Sequence, residues 1–295
     1  MRLTLRALAW GLLLPTAAFI LAGCGASGPS SGTVGGQSTQ TIRLQPFSDN
    51  ANQTPRWRDI ADYLYSNSFR NSFKYPGTVL LSYTTQETPL RFTLSAPRHG
   101  LKPNFCYQMK LEGPSQLWSN DPQGADFVNY QFGSHGRWWC DTDNRALTDT
   151  EVASGAHNGH VVKGYIYFDF AVTNRDGSAY QSSTVSNSYH VTWKTSQRSR
   201  TANDGPVRTS TVVATSDGWA YSGYNRSVNV GVYGEWEPGR PLPGSLALAS
   251  GTYSGVQFRL TEESFHSTLS YGGNWRTALS ASVPAFQISV PLTPS

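Results

Sequence analysis

The sequence predicts an all-β fold, an antiparallel β-sandwich with one short N-terminal helix. Three observations carry that expectation. Apolar and polar residues alternate with a period of two in several segments, clearest in Phe105, Tyr107, Met109 and Leu111. Charged residues are scarce at 14 %, while 13 % of the chain is aromatic and Gly and Pro are plentiful, the profile of short strands joined by tight turns. No segment carries a long amphipathic helical pattern.

The elements follow in order. Ala26 to Thr41 is rich in Gly and Ser and reads as a tether. Pro55 to Ser66 reads as the helix: Thr54 suits the N-cap, Pro55 the first turn, and Trp57, Ile60, Ala61 and Leu64 recur at helical spacing. Thr78–Thr84 and Leu90–Ala96 alternate as strands around the polar turn Thr85–Pro89, and Asn104–Leu111 follows. Gly113 to Gly159 is long, polar and turn-rich, with a helical turn expected at Leu147–Ala153 under a Thr148 cap. Val161–Val172 is strongly β and ends at Asn174-Arg175-Asp176-Gly177, a hairpin turn in which Gly supplies the positive φ. Tyr189–Trp193, Val207–Thr215, Val228–Trp236, Thr252–Leu260 and Phe286–Val290 complete the strands. Polar Ser196–Pro206 suggests a lobe boundary or a long connection. The expected organisation is therefore a signal over 1–23, a tether over 24–53, a first β lobe over 54–203 and a second over 204–295, either separate or continuous with the first.

The N-terminus has a basic start, Arg2 and Arg6, then an apolar run from Ala7 to Leu21 that ends on small residues. That is the layout of a secretory signal peptide. Its last four residues, Leu21-Ala22-Gly23-Cys24, resemble the lipobox of bacterial lipoproteins. The resemblance implies cleavage before Cys24, acyl chains on its sulfur, and a membrane partner through that lipid. Gly25 in place of Asp favours an outer-membrane or cell-surface destination in the cell envelope. Removing residues 1–23 takes away Arg2 and Arg6 and lowers the formal charge from +4 to +2, which gives no argument for nucleic acid.

Two further cysteines remain, Cys106 and Cys140. Outside the cytoplasm such a pair favours a disulfide, with two buried thiols as the alternative. His157-Asn158-Gly159-His160 offers two imidazoles three apart before a strand, a spacing that fits a metal or a solvated polar loop. No acid at a fixed offset completes a ligand set, so neither a metal nor any other cofactor is expected. Asp141-Thr142-Asp143-Asn144 starts like a calcium loop but has Val152 where the closing Glu belongs, which excludes an EF-hand. Glu262, Glu263 and His266 would share a helical turn and could orient an imidazole for acid–base work, or simply cap a connection. Trp138, Trp139 and Trp275 fall in expected loops and could display indoles to a ligand. No nucleophile elbow, zincin, P-loop or dinucleotide fingerprint occurs, and no catalytic residue is assigned.

Gly100–Tyr107, Gly133–Asp141 with Gly136-Arg137-Trp138-Trp139-Cys140, Gly164–Phe170, Leu260–His266 and Gly272–Trp275 together resemble a group of uncharacterised secreted prokaryotic β-rich proteins. The resemblance implies an exported β domain and carries over no functional residue. The expected function is a lipid-anchored extracytoplasmic binding or envelope-associated module, with a glycan or an envelope protein as partner. The alternative is a secreted hydrolase acting on glycan or peptide.

Overall fold

A computed structural model describes residues 30–34, 37–47, 57–61, 63–84, 90–118, 126–193, 206–214, 218–223, 227–236, 239–262 and 276–289. The chain is all-β. Its strands are β1 (Ser30–Val34), β2 (Gln37–Arg43), β3 (Gln45–Pro46), β4 (Leu80–Thr84), β5 (Arg91–Ala96), β6 (Cys106–Glu112), β7 (Gln116–Leu117), β8 (Arg137–Cys140) and β9 (Arg145–Leu147). They continue with β10 (Val161–Val172), β11 (Ala179–Thr184), β12 (Tyr189–Trp193), β13 (Pro206–Ala214), β14 (Val228–Trp236), β15 (Gly251–Tyr253), β16 (Gln257–Glu262), β17 (Arg276–Ser282) and β18 (Phe286–Ile288). Among the described residues three short helices interrupt them: α1 (Asn67–Ser72), α2 (Phe127–His135) and α3 (Asp149–Ala153).

The largest sheet runs β3-β17-β16-β6-β10-β8-β9, with β7 pairing β10, and all its ladders are antiparallel. A second sheet runs β1-β2-β4-β5-β11. Their alternating apolar faces meet in one core: Phe92 of β5 lies 5.6 Å from Phe168 of β10 and 6.0 Å from Phe258 of β16, ring centre to ring centre. Leu81, Leu94, Met109, Leu111 and Leu260 fill the space around these rings, all fully buried. β6 pairs directly with β16, so strands from both sides of residue 204 share one sheet.

Several expectations change. The helix expected over Pro55–Ser66 is not formed over its described part, and α1 begins just beyond it. Buried Asp59 accepts the amides of Ala61 and Tyr63, both at 2.9 Å, and so folds the chain into a turn instead. The apolar residues of the segment then serve different cores: Tyr65 joins the main one, while Ile60 packs with Phe170, Val230 and Val232 on the opposite face of the large sheet. The Cys106–Cys140 disulfide is also not formed. Cys106 pairs with Val172 and Cys140 with Val162, ten residues apart on β10. At about 3.3 Å per residue that is roughly 30 Å, against a limit of about 7 Å between bridged Cα atoms.

The long polar stretch contains α2, which the sequence did not suggest. Asp126 caps it by accepting the Asn129 amide. It lies close against β8 and β10 because Gly133 and Gly164 meet there. A Cβ on Gly164 would strike the Asn129 carbonyl and the Gly133 backbone, and one on Gly133 would strike the Trp138 ring. α3 forms where expected, with Thr148 and Glu151 in a reciprocal capping box. The Asn174–Gly177 turn also forms, with Gly177 at φ +74°.

Candidate metal centre

β8 and β10 are neighbours, so the turn leaving β8 and the turn entering β10 face each other. The Asp141 amide donates to the Val161 carbonyl at 2.8 Å, and the Val161 amide to Thr142 Oγ1 at 2.9 Å. The chain between them makes β9, α3 and a run of tight turns. Its return is fixed by Trp118, which accepts the Gly159 amide and donates its own to the His160 carbonyl. Beneath the loop sits a small apolar cluster of Trp118, Trp138, Cys140, Leu147, Val152 and Val162.

This closure brings Cys140, Asp143, His157 and His160 together, with one donor atom from each within 4.8 Å of all the others. Asp143 Oδ2 is 3.2 Å from His157 Nδ1, and Asp143 Oδ1 is 3.3 Å from His160 Nδ1. Cys140 Sγ is 3.6 Å from the same His160 nitrogen. A tetrahedral zinc ion with bonds of about 2.0–2.3 Å holds its donors roughly 3.3–3.8 Å apart. These three pairs already stand at about that separation.

The electrostatics fit a cation. His157 is buried, with its side chain only 8 % exposed, and its Nδ1 has no hydrogen-bond partner. The Asp143 carboxylate is near but not placed to form a hydrogen bond with it, so a buried imidazole nitrogen points into the cluster unsatisfied. Such groups are rare, because leaving one unpaired costs about 1–3 kcal/mol. Burial and the Asp143 carboxylate hold the Cys140 thiol above its usual value, and the Asp143 amide donating to its sulfur at 3.4 Å offsets this in part. His160 is the open side, with its side chain 35 % exposed. Sulfur, imidazole and carboxylate together match the donor preferences of zinc-class ions and exclude a calcium site, which needs oxygens.

The other expected site residues are scattered. Trp138 is buried in β8 against Trp118 and displays nothing to solvent, contrary to the loop expected there. Trp139 is half-buried, its ring 5.8 Å from the Lys110 ammonium. Glu262 is not on a helix but on β16, where it is buried 2.8 Å from Lys102 Nζ and accepts from the Tyr75 hydroxyl. That carboxylate is internal structure and is closed to a substrate. Glu263, His266, Trp275 and Cys24 lie outside the described residues.

Taken one at a time, the parts point elsewhere: Cys140 to a disulfide or a buried thiol, Asp141–Asn144 to a calcium-loop start that does not complete an EF-hand, and His157 and His160 to a metal or a solvated polar loop with no acid at a fixed offset. The available signal was the matched spacing Cys140-x-x-Asp143 and His157-x-x-His160, separated by thirteen residues and flanking two strands. No family of proteins, curated protein or solved structure matches this chain.

Proposed function

We propose that this chain is a lipid-anchored, extracytoplasmic β-rich protein whose folded body binds one zinc-class metal ion at Cys140, Asp143, His157 and His160. The convergence of those four donors within 4.8 Å carries the reading. The lipid anchor rests on the Cys24 motif and on the Gly/Ser-rich segment after it. With four protein donors the site is closed in the manner of a structural centre. Its role is to hold the β8–β10 loop in one shape, so that the surface around it stays ordered for whatever the envelope module meets.

Cobalt substitution tests this. The mature protein should take up one Co²⁺ per chain, with the visible bands of a tetrahedral ion and a near-ultraviolet thiolate charge-transfer band. Cys140→Ser should abolish the charge-transfer band, and His157→Ala should weaken binding by orders of magnitude. An octahedral spectrum, or a spectrum indifferent to Cys140, would refute the site.

A further inference from the structure

The ring of His157 has two nitrogens, and the fold treats them differently. Nδ1 lies 3.2 Å from Asp143 Oδ2, on the side of the donor cluster, and has no hydrogen-bond partner. Nε2 points the other way, 3.5 Å from Glu151 Oε1. Glu151 is itself held from two sides. Arg145 donates to both its oxygens, at 2.5 and 3.2 Å, and Thr148 donates to Oε2 through its amide and its hydroxyl, each at 2.8 Å. Carboxylates thus flank both ring nitrogens, Asp143 on the side of the donor cluster and Glu151 opposite it, and an ion held at Nδ1 leaves the ring proton on Nε2, facing Glu151. That is the arrangement in which a second carboxylate orients and strengthens a metal-bound imidazole.

We infer that Glu151 is a positioning residue of the metal centre, which selects the Nε2–H tautomer of His157 and so presents Nδ1 to a zinc-class ion. This rests on the metal reading given above. The same residue closes the capping box of α3, so the loop's helix start and the ligand's orientation depend on one side chain. The inference also gives α3 a role. It is only five residues long, with one buried residue, Val152, and contributes little to the core. What it adds is a carboxylate at a fixed place.

Glu151→Gln separates orientation from folding, because Gln at the same position preserves a capping box. Two measurements on the mature protein are needed: zinc affinity by competition with a chelating dye, and the His157 tautomer by ¹⁵N NMR of the metal-free form. The expected result is zinc binding by the parent protein, about 10–100-fold weaker binding by Glu151→Gln, and a parent Nε2–H tautomer that becomes mixed in the variant. Arg145→Gln should give a smaller change in the same direction. If the parent binds zinc and Glu151→Gln binds equally well with its tautomer unchanged, the role of Glu151 is overturned and the metal centre stands. If the parent binds no zinc, both are overturned.

Discussion

Glu112 shows how single residues on the outer face of the large sheet set the pH response. Burial alone would push its carboxyl up, but Lys110, Lys163 and Arg259 outweigh that and hold it at about 2 rather than 4.5. Because the folded value lies below the unfolded one, the stabilisation is complete above about pH 4.5 and is lost as pH falls through about 2. Glu112→Gln should therefore be less stable than the parent at pH 7. The gap should close in acid unfolding experiments towards pH 2, where the protonated Glu resembles Gln. A gap independent of pH would show that packing, not charge, makes the difference. The alternation Cys106, Gln108, Lys110 announces this face in the sequence, but two of the three partners of Glu112, Lys163 and Arg259, come from β10 and β16, and no local pattern identifies them. Asp59 is similar. It sits among Trp57, Ile60, Ala61 and Leu64, which recur at helical spacing, yet its buried carboxylate accepts two backbone amides and the Tyr221 hydroxyl, and the turn prevails. Side-chain charges from neighbouring strands settle Glu112 and a side-chain-to-backbone turn settles Asp59, and hydrophobic periodicity registers neither.

Among the elements, the β8–β10 loop depends on its closure. Four donors at its two ends span the segment from Cys140 to His160, and β9, α3, a six-residue apolar cluster, the Trp118 backbone and the Arg240–Asp149 ion pair support the rest. An ion bound at its ends stabilises the native loop by mass action, about 2.7 kcal/mol at a hundredfold excess over Kd. Chelation should then lower the thermal midpoint and open residues 141–160 to limited proteolysis, with protection restored by zinc. Unchanged proteolysis on chelation would contradict this. α2 makes a second test. Gly164→Ala should push α2 off β10 and cost about 1–3 kcal/mol by overpacking, read as a lower urea midpoint with an unchanged m-value. Strands were legible because period two survives wherever one face is buried. α2 was not, because Asn129 and Gln131 are buried beside Val128 and Phe132, and no apolar stripe stands out. Asn129 is there to donate to the Pro114 carbonyl and to accept the Gly164 amide, a tertiary role.

At the scale of the whole molecule, two sheets share an aromatic core in which Phe92 touches Tyr83, Phe168 and Phe258. Phe92→Ala should cost about 3–5 kcal/mol, and both sheets should unfold in one transition, because the core belongs to neither alone. Composition leaves two lobes or one continuous body open around residue 204, and the β6–β16 ladder joins strands from its two sides. The all-β class was thus readable from pattern and composition, but the sheet order and the metal set were not, since both arise from pairings between distant segments. The proposed anchoring predicts that Cys24→Ser moves the protein from the membrane fraction to the soluble one. The most direct test of the central claim is zinc K-edge X-ray absorption on the metal-loaded mature protein. The geometry predicts one sulfur at about 2.3 Å and three nitrogen or oxygen neighbours at about 2.0–2.2 Å, with the multiple scattering of two imidazoles. A first shell without sulfur, or one made up of water oxygens, would contradict it.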